Sequence, residues 1–268
     1  MPPLRLSATP LWSSAFDMAD AQDAGARFGD QGTHTSRTMM LAELSGVFES
    51  VEPRGTREDY LTAIIESNVL GKATTATRRS TNQRLGELYG LDPRIPAFRV
   101  LRALWDIESP SRPLLALLVA VFRDPLLAAT TPVILQLREG AELTKSSMTS
   151  ALAEVVGTRL NPSTLDKVVR NVASSWAQAG HVVGRTFKKR QRVTATPSTV
   201  ALALYLGWAA GFRGEELFSS GWVALLDCSP AQAQSLAQEA KRHGLIDLRI
   251  AGDVFEVNVA RLDQLGGI

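Results

Sequence analysis

The chain has 268 residues, 45% of them hydrophobic and 21% charged, with a formal net charge of +2 at pH 7. That is the composition of a folded protein with room for a substantial core, and the near-neutral balance requires any affinity for nucleic acid to come from clustered charge. A single cysteine, Cys228, excludes an internal disulfide and a cysteine-rich zinc site, and His34, His181 and His243 are too far apart in sequence to form a metal-binding pair, so no metal or cofactor is expected.

Residues 1–35 mix Pro, Ser, Gly, Ala and Asp with few periodic apolar positions and read as a flexible leader. An N-terminal helical domain is expected over 36–140. Its first helix starts at Ser36, carries Met39, Met40, Leu44 and Val47, and ends before Pro53. The next starts near Thr56, with Asp59 three residues on, and aligns Tyr60, Leu61, Ile64, Ile65 and Val69. Gly71 stops it, and GKATTATRRSTNQRLGELYGL runs on to Gly90 as a third helix. Two helices around a short turn, the second polar and basic, suggest a helix-turn-helix. Lys72, Arg78, Arg79, Asn82, Gln83 and Arg84 are the side-chain types that reach phosphates and base edges, although a solvated helix face has the same composition.

The apolar stretch from Leu114 to Leu137 is interrupted by Arg123-Asp124-Pro125, which leaves two pieces each too short to cross a bilayer. No compact basic–apolar–small signal pattern opens the chain, so the expected compartment is the cytoplasm.

A central winged-helix unit is expected over 141–196. The pattern gives a helix at about Ser146–Val156, a turn through Gly157 and Asn161-Pro162, and a second helix at about Ser163–Ala179 capped by Ser163. A hairpin follows, with Val182, Val183, Phe187 and Val193 flanking the tip Lys188-Lys189-Arg190-Gln191-Arg192. This is the order of a winged helix-turn-helix, in which one helix can lie in the major groove while the hairpin reaches the backbone or the minor groove. Arg159, Lys167, Arg170, Arg185, Lys188, Lys189, Arg190 and Arg192 face one local acid, Asp166, and no carboxylate follows before Glu215. Phosphate binding needs such a one-signed field, but a solvated hairpin tip that is basic by chance would read the same way.

The C-terminal unit, 197–268, repeats the order. An apolar helix from Val200 to Phe212 reads as buried on all sides, a second spans Glu215 to Leu226, and Ser229 with Pro230 starts a third that ends at Gly244. LIDLRIAGDVFEVNVA then reads as a hairpin. Asp227, Glu239, Asp247, Asp253, Glu256 and Asp263 would repel phosphate, so this unit is expected to pack or to contact protein.

The run ESNVLGKATTATRRSTNQRLGEL resembles the N-terminal motif of the BrxA family, accessory proteins of BREX phage-defence systems. Later elements come in a similar order: the Leu/Trp helix FRVLRALWDI, the apolar pair Pro113–Leu137 and the helix STLDKVVRNVASSWAQAGHV, so that the resemblance covers roughly residues 36–260. It implies a compact, mainly α, double-stranded-DNA-binding protein without known enzymatic activity that works beside other defence proteins. No phosphate-binding loop or nucleophile elbow stands out, and no enzymatic activity is expected. Two other functions are open, a helical assembly adaptor that holds other defence proteins through the acidic C-terminal unit, and an RNA-binding protein that uses the same basic residues.

Overall fold

In the computed structural model, which describes residues 11–251 and 254–265, the fold is mainly α with two small antiparallel hairpins, as the sequence pattern predicts. The first half holds α1 (Met18–Asp23), α2 (Leu41–Ser50), α3 (Arg57–Ile65), α4 (Thr75–Tyr89), α5 (Pro96–Leu104), α6 (Arg112–Arg123), α7 (Pro125–Ala128) and α8 (Thr131–Gln136). It is followed by α9 (Lys145–Val156), α10 (Pro162–Gln178), β1 (Val182–Val183) and β2 (Lys189–Arg190). The C-terminal part is α11 (Pro197–Ala209), α12 (Glu216–Ser219), α13 (Gly221–Ala224), α14 (Pro230–Arg242), β3 (Asp247–Ala251), β4 (Val254–Asn258) and α15 (Ala260–Leu265).

Helix starts follow the capping residues. Thr56 with Asp59, and Ser229 with Gln232, form reciprocal capping boxes, while Thr74 accepts the Thr77 amide. At α10 the cap is Asn161 rather than Ser163: Asn161 Oδ1 accepts the Thr164 N–H at 2.8 Å. Pro162 occupies the first helical position, where its missing N–H costs nothing, so the cap falls on the residue before it. The helix expected over 215–226 is two short ones, because Ser220 is extended (ψ 156°) between α12 and α13.

Two helices without a polar face organise the core. Every residue of α6 from Leu114 to Arg123 is buried, as is every residue of α11 except Trp208, and the two helices pack on each other. No single helix among the described residues is long and apolar enough to cross a membrane, and the two halves of the apolar stretch bend by 103° between Arg123 and Pro125.

The expectation of a flexible leader fails over 11–35. Leu11 is fully buried, its carbonyl accepts the Trp222 Nε1–H at 2.8 Å, and the Ser13 amide donates to the Ala210 carbonyl at 3.1 Å. Trp12 packs against Phe16, Phe28, Phe122 and Trp222 with ring centroids 4.9–6.3 Å apart. Aromatic burial needs no helical period, which is why the composition concealed it. The rest of the leader, 1–10, lies outside the described residues.

At the bend, Asp124 caps α7 with Oδ1, while its Oδ2 accepts the His34 amide at 3.2 Å and lies 2.9 Å from His34 Nδ1. His34 Nε2 is 2.8 Å from Ser175 Oγ on α10. This is the acid–imidazole–hydroxyl order of acyl-transfer enzymes. Here Ser175 and His34 are 0% exposed, and the Ser175 hydroxyl accepts the Met39 amide and donates to the Asn171 carbonyl. The cluster is therefore a brace between the bend and α10. Burial works to raise the Asp124 carboxyl, but His34 and the surrounding amides outweigh it and hold the group below the usual range. Gly32 packs so closely on Asp124 that a Cβ there would collide with the carboxylate.

Candidate nucleic-acid interface

The central unit has one element more than the sequence suggested. Residues 140–143 run beside β2 as a third strand-like segment: Gly140 N–H donates to the Arg190 carbonyl (2.9 Å), Arg190 N–H to Ala141 (2.8 Å) and Leu143 N–H to Lys188 (2.8 Å). With β1 paired on the other side of β2, the succession α8, short strand, α9, α10, β1, β2 is a complete winged-helix order. The extra segment is too short to show a period, so only the ladder reveals it.

On α10, Val168, Val169, Val172, Ser175 and Trp176 form the buried stripe, and Ser163, Asp166, Lys167 and Arg170 are exposed. The stretch 34–41 covers another flank: Asn171 Nδ2 donates to the His34 carbonyl at 2.8 Å and the Leu41 amide to Gln178 Oε1 at 3.3 Å. The open part of α10 is the outer strip of its N-terminal half, the part of a recognition helix that meets base edges.

The tip of the wing is Gly184 to Lys188. Gly184 has φ +115°, and a Cβ would collide with the Phe187 carbonyl, so the turn requires glycine. Arg185 and Lys189 are exposed, and Lys188 is half-buried with its ammonium near the Gly184 and Arg185 carbonyls at 3.3 and 3.4 Å. Phe187 points outward and is 66% exposed. Among the described residues none of Lys167, Arg170, Arg185, Lys188 and Lys189 has an ion-pair partner within 4 Å.

Three of the predicted cations in this unit are placed differently. Arg190 is only 6% exposed, donates to the Ile134 and His181 carbonyls (both 3.3 Å) and pairs with the Asp227 carboxylate, whose second oxygen accepts the Val193 amide at 2.8 Å. It fastens the wing to the C-terminal unit and cannot reach a phosphate. Arg192 is exposed but donates to the Asp227 carbonyl at 2.6 Å. Arg159 pairs with Asp30, Nε to Oδ2 at 2.6 Å. Two features of the surface have no signal in the sequence: Glu142 lies directly across the ladder from Lys189, and Lys145 pairs with the one local acid, Asp166, at 2.9 Å. The mainly basic surface is thus the wing tip plus the start of α10, where Asp166 is paired with Lys145.

Beneath it, His181 is buried and donates from Nε2 to the Leu225 carbonyl at 2.7 Å. Burial, joined by the Arg190 charge, outweighs that bond and pushes the imidazole down to about 4.

In the N-terminal helix-turn-helix most of the predicted contacts are internal ties. Lys72 pairs with Glu43 at 3.0 Å, and Arg78 donates to the Ile65 and Lys72 carbonyls at 3.1 and 3.3 Å, closing the turn between α3 and α4. Arg84 and Gln83 both bond Glu87, at 2.8 and 3.0 Å. Asn82 lines a cleft, and Arg79 with the Thr-rich first turn remains exposed. In the C-terminal unit the acids also have partners: Asp227 with Arg190, Glu239 with Arg242 (3.8 Å), Asp247 with Arg261 (2.8 Å), Glu256 with Arg249 (3.7 Å) and Asp263 with Arg99 (3.0 Å). Asp253 lies outside the described residues.

No protein-family model matches the chain, and no curated protein is similar to it in sequence.

Proposed function

We propose that this protein is a non-enzymatic, double-stranded-DNA-binding accessory protein of a BREX-type phage-defence system, acting in the cytoplasm beside other defence proteins. The observation that carries the DNA reading is the winged-helix order of residues 131–190 with Arg185 and Lys188 at the wing tip and Lys189 beside it on β2, none of them in an ion pair among the described residues. The open start of α10 supplies Lys167 and Arg170 for the major groove, and the wing meets the backbone. The defence setting rests on the BrxA resemblance of residues 66–88 and the element order that follows them.

Five cations on phosphates release about as many counterions, so affinity falls by between two and three decades from about 50 to 200 mM salt. Such contacts carry little sequence information, so unrelated duplexes bind alike. Fluorescence anisotropy with two unrelated duplexes over that salt range tests the proposal, and binding that is absent or independent of salt would overturn it. Structured RNA as competitor separates duplex DNA from RNA recognition. Against the adaptor reading stands the pairing of Asp227, Glu239, Asp247, Glu256 and Asp263 with arginines, which leaves less of the acidic charge of the C-terminal unit for a partner.

A further inference from the structure

Away from the wing, a cleft of about 420 Å³ opens where α3 and α4 meet the loop leading into α5 and the end of α6. Its walls include Arg27, Arg57 and Arg123 together with the apolar Leu61, Leu91 and Ile95. Arg123 is the unusual member. It is only 6% exposed, no carboxylate lies within 4 Å of its guanidinium among the described residues, and its Nε has no hydrogen-bond partner. Its terminal nitrogens donate only to backbone carbonyls, those of Gly25 and Gly86. A buried guanidinium without an anion is costly, and the cost registers in its acidity: burial, aided by repulsion from Arg27, pushes it down to about 10.

Arg27 is no better neutralised, since its Nη1 donates to the Glu87 carbonyl at 3.1 Å and no carboxylate pairs with it among the described residues. Arg57 is exposed at the first position of α3, where the helix dipole also disfavours a cation. The two acids in the wall belong elsewhere. Asp92 makes a bidentate pair with Arg94 (2.7 and 3.0 Å), and Glu87 is held by Thr33, Gln83 and Arg84. Three arginines therefore line one concave space, and none of them has a carboxylate within 4 Å among the described residues, Asp92 acting on Arg57 only at longer range; the cleft has the volume of a small organic ligand.

We infer that this cleft is a binding site for a phosphorylated small molecule, its phosphate held by Arg123, Arg27 and Arg57 and its organic part lying against Leu61, Leu91 and Ile95. Arginine suits the phosphate because its planar fork donates two parallel hydrogen bonds to neighbouring oxyanions. This site is independent of the wing, and either assignment can fail without the other.

Calorimetric titration of the full chain with inorganic pyrophosphate and with AMP, at constant ionic strength, tests it. Saturable binding with Kd below about 1 mM is expected, weakened at least about tenfold by Arg57→Gln and by Arg27→Gln. Both variants keep the buried Arg123 in place, so they test the site without risking the core. The wing substitutions Arg185→Ala, Lys188→Ala and Lys189→Ala should leave pyrophosphate binding unchanged. No saturation up to about 10 mM, or equal affinity in the two cleft variants and the wild type, overturns the site. So does an Arg57→Gln variant that loses duplex DNA binding to the same degree as pyrophosphate, since the cleft would then be a backbone contact.

Discussion

Among the described residues two hairpins each follow a run of helices, and they use charge in opposite ways. In the C-terminal hairpin Arg249 faces Glu256 across the ladder and Asp247 pairs with Arg261, so its cations are matched by acids of its own unit. In the central wing the tip cations are unmatched, and one cation at its base, Arg190, is buried against an acid from the other unit, Asp227. Charge that is answered locally is nearly neutral in energy, whereas charge left open is available to a partner. The two hairpins thus differ in what they can bind although their local patterns look alike.

The comparison breaks most visibly at the pair that fastens the wing. Asp227→Ala strands a buried guanidinium and removes the acceptor of the Val193 amide; removing one partner of a buried pair costs about 3–5 kcal/mol, which urea denaturation would register as a lower midpoint. A loss below about 1 kcal/mol would mean that Arg190 is solvated after all.

Next in size is the pH dependence of the same region. His181 is held neutral in the folded chain, near 4 against an ordinary 6.5, so the unfolded chain binds the extra proton between those values. The stability it contributes is fully present above 6.5 and is lost as pH falls toward 4, by as much as about 3 kcal/mol at 1.36 kcal/mol per pH unit. Asp124, depressed below the usual carboxylate range, adds a loss only at more acidic pH, below 3.8. Stability measured by urea titration should fall between pH 6.5 and 4 in the wild type, with a shallower slope in His181→Asn.

The wing itself is tested by Arg185→Ala, Lys188→Ala and Lys189→Ala together. Removing three phosphate-binding cations should flatten the salt slope by about 2.7, with little change in stability because none of the three is buried in the core. An unchanged slope would place the phosphate contacts elsewhere. The smallest effect is expected in the other hairpin: Arg249→Ala breaks an exposed pair and should shift stability by about 0.5 kcal/mol or less, leaving DNA affinity untouched.

The helices were legible because their signals are local. Thr56 with Asp59, and Ser229, cap where the sequence places them, and the unbroken apolar runs of α6 and α11 can only be buried. The candidate site was legible only in part. Arg185 and Lys188 stay unpaired because a hairpin tip has few neighbours, whereas Arg159 and Arg190 meet Asp30 and Asp227, acids far away in sequence. The position of Glu142 is hidden for the same reason, since it comes to lie across the ladder from Lys189 on a strand segment without a pattern of its own.

The sequence by itself determined the helical class, most of the caps it named, the two buried helices and the alternating hairpins, because each depends on residues within a turn or two of one another. The tertiary structure alone decided which charges remain available, that Trp12 and its neighbours close the core, and that Arg27, Arg57 and Arg123 share one cleft. Charge pairing and burial depend on distance in space, and residues 96 positions apart, such as Arg27 and Arg123, have no relation in the chain until it folds.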